Sequence, residues 1–316
     1  MRPLLRRDQI LVTCFAIALL LFPLSGERYW VALVTRMMST AIFALSLDLL
    51  VGGAGLVSFG HAAFFGAGGY MLAIAGRSFG LTDMAATLPL SILTAGILAF
   101  GIGWLSIRTQ GVYFIMITLA FAQMLFHVVE GSVALGGSDG IYLDEKPVFA
   151  PLGHTLLDLR DKTQVYYFTL LCLIASTLLL RSLRLSPFGR VLAAICASEP
   201  RARALGHPTP RYKLVSFVIA GALAGLAGFL SAAESGFMSP AHLAWHASGR
   251  VLVIVILGGV GTLHGPVLGA FVFMLLEELA GSLTERPLLF LGAFVIAVVL
   301  LLPRGIAGLF AGARRG

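Results

Sequence analysis

The chain has 316 residues, 58% of them hydrophobic and only 12% charged, with a mean hydropathy of +0.95. That balance excludes a water-soluble globular domain and points to a polytopic membrane protein. The net charge of +7 would suit nucleic acid, but the cations lie in short loops between apolar runs, which speaks against a nucleic-acid partner and for a membrane-lipid one.

In chain order, MRPLLRRDQ precedes an apolar run and lacks a small-x-small cleavage site around Pro23, Leu24, Ser25 and Gly26. It reads as a first transmembrane helix with its arginines inside. Apolar segments follow near 10–25, 30–51, 60–76, 84–105, 111–130, 164–181, 213–233, 249–262, 265–281 and 287–302, making ten candidate crossings or part-crossings. Several fall short of the ~20 residues that a perpendicular helix needs, so a count of eight with two re-entrant segments stays open. The expectation is an all-α fold, a polytopic transmembrane helical bundle of 8–10 spans with broken or re-entrant Gly-rich segments, forming one domain over 1–316. With ten crossings, the inner side holds Arg2, Arg6, Arg7, Arg108, the seven cations of 181–213, Arg304, Arg314 and Arg315. The outer side holds Arg28, Arg77, Lys146, Arg160, Lys162 and Arg286. This asymmetry puts both termini inside and the relatively acidic 131–163 segment outside.

The stretch from Leu47 to Tyr70 carries seven glycines and cannot be one regular helix without loss. Either the glycines let helices approach closely, or they mark irregular backbone lining a path. Ser58, Gly60 and His61 are path candidates on the second reading; on the first, His61 is a hydrogen-bonded packing residue. The 136–141 run, with Gly136, Gly137, Ser138 and Asp139, is a turn by composition. It is a docking or entry surface on one reading and a plain connection on the other, which the residues alone favour.

The longest polar interruption is 181–213, with Arg181, Arg184, Arg190, Arg201, Arg203, Arg211 and Lys213 against a single acid, Glu199. Ser186 and Pro187 open a helix whose Phe188, Val191, Leu192 and Ile195 share one face, suited to the membrane surface. A second helix of about two turns runs from Ser198 or Glu199 to Gly206, which suits a left-handed C-terminal position. Ala202 and Ala204 are small enough to admit a partner's groove. Further on, Gly221-x-x-x-Gly225 and Gly261-x-x-x-Gly265-x-x-x-Gly269 are close-packing spacings. Gly258, Gly259 and Gly261 echo Gly52, Gly53 and Gly55, and paired interruptions of this kind flag a transport path. Arg36, Asp48, Glu277 and Glu278 are ionisable residues within spans; Asp48 and Glu277 are candidates for internal hydrogen bonds.

No phosphate-binding loop, metal-ligand spacing or nucleophile elbow is present, so the chain alone is not expected to hydrolyse ATP and is read as having no catalytic residues, metal or cofactor. Uphill transport then draws on a partner or on an ion gradient.

Glu199, Ala202, Arg203, Ala204, Leu205 and Gly206, inside GRVLAAICASEPRARALG, resemble the signature by which ABC-transporter permeases dock on a separate ATPase. The usual form has Glu followed by two alanines, where this chain has Glu-Pro-Arg-Ala. GLVSFGHAAFFGAGGY, GVYFIMITLAFAQM with GGSDGI, YKLVSFVIAGALAGLAGFL and VILGGVGTLHGPVLGA are similar, in the right order, to permeases of branched-chain amino-acid importers, the M type over the H type. The resemblance implies a bacterial inner-membrane subunit for leucine, isoleucine and valine. It also implies a second, H-type permease, two ABC ATPase subunits and an external substrate-binding protein. Urea and short-chain amide permeases share the pattern; an ion-gradient-driven secondary transporter is the alternative from another class.

Overall fold

A computed structural model of the chain describes residues 17–149, 157–283, 286–302 and 305–310. Of the expected first span at 10–25, residues 10–16 lie outside the described residues, 17–21 are helical and Phe22–Ser25 form a 3-10 turn.

The centre of the bundle is α1 (Arg28–Asp48) with α8 (Thr209–Ser235). Their apolar windows are 78% and 61% buried, whereas those of α3 (Met84–Ser106), α4 (Val112–Glu130), α5 (Lys162–Leu185) and α10 (Gly265–Leu283) are 33% or less, so these four form the rim. The caps are local and legible: the Asp83 carboxylate accepts the N–H of Ala85 to start α3, and Asp161 accepts that of Thr163 to start α5.

The Gly-rich stretch is irregular backbone in one part and close-packed helix in another. α1 runs into a π-turn over Leu49–Ala54 that Gly55 closes at φ +68°. Residues 55–60 then run without helix, and α2 (His61–Phe79) begins. Within α2 the glycines serve close packing. A side chain at Gly68 would strike the backbone of Gly225 in α8, and one at Gly66 or Gly69 would strike Leu243 or Met238. α8 also packs closely on α3, where Gly221 and Gly225 lie on Ala99 and Ala95. In lipid, where burial of apolar surface gives helices little reason to associate, such backbone proximity supplies the van der Waals contact that holds them.

Six of the described helices are long and apolar enough to cross a membrane. Other apolar runs fold as shorter helices. α9 (Trp245–Gly258) has 14 residues, about 21 Å at 1.5 Å per residue, and α11 (Pro287–Leu301) has 15. The Gly261–Gly265–Gly269 spacing is likewise not one helix face. Gly261 is in a loop at φ +75°, and only Gly265 and Gly269 belong to α10, pressed on the end of α9.

The bundle has two distinct ends. One carries α6 (Pro187–Ala197) and α7 (Glu199–Ala204), with α12 (Gly305–Phe310) packed on Gly259. The other carries two short antiparallel pairs, β1 (Ile141–Tyr142) with β4 (Phe237–Met238), and β2 (Val148–Phe149) with β3 (Leu157–Asp158).

Candidate functional site

α6 starts where the sequence places it, with the Ser186 hydroxyl accepting the N–H of Gly189 at 3.3 Å. Leu192 and Ile195 are buried and Phe188 stacks on Tyr212 at 5.4 Å. The apolar face thus rests on the protein's own π-turn and α8, while Arg190 stays exposed. α7 ends in a Schellman arrangement: Gly206, at φ +86°, donates to Arg203 O at 2.9 Å, and His207 donates to Ala202 O at 3.2 Å. Ser198 is the N-cap position, but its side chain makes no capping bond.

The six predicted coupling residues divide by direction. Ala202 is 1% exposed and faces its own bundle, so it offers nothing to a partner; its small size serves internal packing. Glu199 is turned inward too. Its carboxylate accepts bonds from Lys213 at 2.5 Å, Arg203 at 2.7 Å and Thr209 at 3.0 Å, and from Gln110 at 3.3 Å. One acid thereby pins α7 to the first turn of α8 and to the α3–α4 connection. Ala204, Leu205 and Gly206 point outward, with Leu205 76% exposed.

Partial burial pushes the Glu199 carboxyl up, but the bonds from Lys213, Thr209 and Arg203 outweigh it and leave the group below its ordinary value. The clamp's contribution is therefore complete above the ordinary glutamate value and lost only as pH falls through the lower folded one. A spin label at Ala204 is expected to stay immobile through the neutral range and to loosen only at a pH below the ordinary glutamate value.

The six path candidates fall in two places. Ser58 and His61 are fully buried, and a side chain at Gly60 would enter the Thr118 carbonyl. His61 Nε2 meets Ser46 Oγ at 2.8 Å and its ring stacks on Phe43, while Nδ1 has no partner. Next to it the Ala62 N–H donates to Ser248 Oγ at 2.8 Å, so the first turns of α2 and α9 meet. Gly258, Gly259 and Gly261 lie at the other end of α9, ten residues and so ~15 Å from Ser248. There the echoed glycines touch: a side chain at Gly52 would collide with the Gly261 backbone. Asp48, wholly buried, accepts Arg184 at 2.6 Å and the Gly261 N–H at 2.7 Å, and Arg184 donates again to Gly261 O at 3.0 Å. Deleting one member of such a pair strands a charge in a dry site, at a cost of roughly 3–5 kcal/mol.

The profile of the family described as "Branched-chain amino acid transport system / permease component" matches residues 29–303. The chain belongs to this family. It is 30% identical over 315 residues to the high-affinity branched-chain amino acid transport system permease protein LivM of Escherichia coli strain K12, across 92% of this chain and 74% of that one. To LivH of Salmonella typhimurium it is 24% identical, across 87% of this chain and 93% of the relative. A stretch of 91 residues is 35% identical to the autoinducer 2 import system permease protein LsrC of Photorhabdus laumondii, across 27% of each chain. No solved structure gives a significant match.

In this permease the 136–141 turn is a built element rather than a bare connection. Gly136, Gly137 and Gly140 all have positive φ, and Gly140 lies so close to Met238 O that no side chain fits. Ser138 and Asp139 are left exposed on top. Nearby, Lys146 donates to the Glu234 carbonyl at 2.8 Å and Arg36 bonds the Glu234 carboxylate at 3.0 Å, tying this segment to α1 and α8. Glu277 and Glu278 pair at the surface with Arg250 and Tyr29, so Glu277 is not the internal group it was expected to be. Sequence reasoning counted Arg184 only as a loop cation and missed its bond to Asp48. A lone acid within a span calls for a partner, but the sequence offered several inner-side cations and did not single out Arg184.

Proposed function

We propose that the chain is the M-type membrane subunit of an ATP-driven importer of leucine, isoleucine and valine in the bacterial inner membrane. The α6–α7 end faces the cytoplasm. Two ATPase subunits grip there, an H-type permease lies alongside, and an external binding protein delivers substrate over the Gly136–Asp139 turn. The observation that carries this reading is α7 itself. Two helical turns have no stability alone in water, yet Glu199 braces these on α8 and leaves a small apolar ledge, Ala204-Leu205-Gly206, outward. Such a ledge fits a groove and conveys motion to the bundle. Similarity to both LivM and LivH supports the pairing of two permeases and the substrate class that those names carry. An ion-driven carrier needs titratable groups along its path; the only buried acid among the described residues, Asp48, is committed to Arg184 and Gly261.

Co-expression with an H-type permease and two ATPases is expected to yield one complex. With its binding protein in proteoliposomes, that complex takes up radiolabelled leucine only with MgATP. Uptake by the isolated chain under an ion gradient sinks the reading, and preference for urea over leucine replaces the substrate.

A further inference from the structure

The contact among Asp48, Arg184 and Gly261 holds more than charge pairing requires. Both backbone polar groups of Gly261 are occupied, its N–H by Asp48 at 2.7 Å and its carbonyl by Arg184 at 3.0 Å. One guanidinium reaches two partners on different elements, and the side chains are almost closed to solvent, 11% exposed for Arg184 and 0% for Asp48. Gly261 in turn lies on Gly52, where an added Cβ would stand 2.8 Å from Asp48 Oδ1 as well. Three elements therefore close on one point: the end of α1, the end of α5, and the loop from α9 to α10.

Arg184 also lies two residues before Ser186, the cap of α6. A Cβ at Gly189 would stand 2.6 Å from the Arg184 Cα, so α6 is folded hard against the end of α5 and cannot turn without carrying Arg184 along. Of the loop's other attachments, Glu199 to Lys213 goes to α8, and Cys196 of α6 lies against the π-turn with its Sγ 4.0 Å from Gly52 O; neither bonds Gly261.

We infer that Arg184 is a positioning residue of the transport cycle: it carries displacement of α6 and α7 to the Gly52–Gly261 contact and so sets whether that end of the bundle is closed. Asp48 holds the guanidinium in the orientation that lets it reach the Gly261 carbonyl. The inference rests on the importer reading. A merely stabilising ion pair would need opposite charges; the relay needs the fork that Arg provides and Lys lacks.

The test uses the complete importer in proteoliposomes, with radiolabelled leucine uptake and ATP hydrolysis measured on the same preparation. R184K keeps the charge beside Asp48 but loses the double reach. It is expected to assemble and hydrolyse ATP while leucine moved per ATP falls about tenfold, inside the 5- to 150-fold range of coupling free energies. The exchange D48R with R184D restores opposite charges but sets like groups against Gly261, guanidinium to N–H and carboxylate to carbonyl. It is expected to recover assembly and not uptake per ATP. Unchanged uptake per ATP in R184K, recovery of that ratio by the exchange, or uptake and hydrolysis falling together overturns the relay.

A measurement at unaltered Asp48 and Arg184 covers the case in which neither variant assembles. Spin labels at Ala193 and Val260 are expected to keep one separation in nucleotide-free and vanadate-trapped importer, and a changed separation overturns the relay. Absence of leucine uptake in the unaltered complex would instead count against the importer reading, because the label separation is read without substrate.

Discussion

Leu205→Glu is expected to release the ATPases from the permease and to lower leucine uptake by at least tenfold, with the membrane bundle intact. Leu205 is 76% exposed and contributes almost no buried apolar area within its own chain. A surface change of this kind shifts stability by roughly ±0.5 kcal/mol. If the same side chain fills a partner's groove, a buried carboxylate there costs about 2 kcal/mol or more of binding, as at interface hot spots. Co-purification of tagged permease with ATPase reads the first effect, and thermal unfolding of the detergent-solubilised chain reads the second. Glu199→Gln separates bracing from docking. It keeps a side chain of the same shape but removes the charge shared by Lys213, Arg203 and Thr209. The expected outcome is retained ATPase binding with less leucine moved per ATP, because the grip remains and the lever loosens. Loss of ATPase from the Glu199 variant with no loss from the Leu205 variant would invert these roles.

What the sequence disclosed follows from the range of each interaction. Ser186-Pro187, Gly206 and the period of Phe188, Val191, Leu192 and Ile195 are local signals, and α6 and α7 formed where they indicated. Direction was not local. That Ala202 faces inward and Ala204 outward depends on where Glu199 finds Lys213, 14 residues away along the chain. The long-range ties were further out of reach. Asp48 and Arg184 are 136 residues apart, and Ala62 and Ser248 are 186 apart. The likeness between Gly52-Gly53 and Gly258–Gly261 suggested two similar interruptions; that the two touch each other emerged only from the fold. Composition sees apolarity but not helix length: the run near 249–262 folds as the 14-residue α9.

Gly228→Val is expected to stop assembly of the bundle altogether. Gly228 lies in α8 at the crossing with α2, and its Cβ would fall inside the Phe65 carbonyl, 3.1 Å from the Gly69 nitrogen. Both obstacles are backbone, so no rotamer change relieves them. Ordinary overpacking costs about 1–3 kcal/mol because side chains yield; here α2 must move away from α8, and it takes with it Gly68 from Gly225 and His61 from Ser46. The comparison is Gly101→Ala in α3, where nothing lies within 4 Å of the added carbon. That change should be neutral or stabilise by up to ~1 kcal/mol through helix propensity. Both variants should insert, since neither alters hydropathy enough to prevent it. Protease resistance in detergent and recovery of the complex are expected to match the unaltered protein for Gly101→Ala and to be lost for Gly228→Val. A folded, transport-competent Gly228→Val permease would mean that α2 and α8 do not cross as closely as the structure has them.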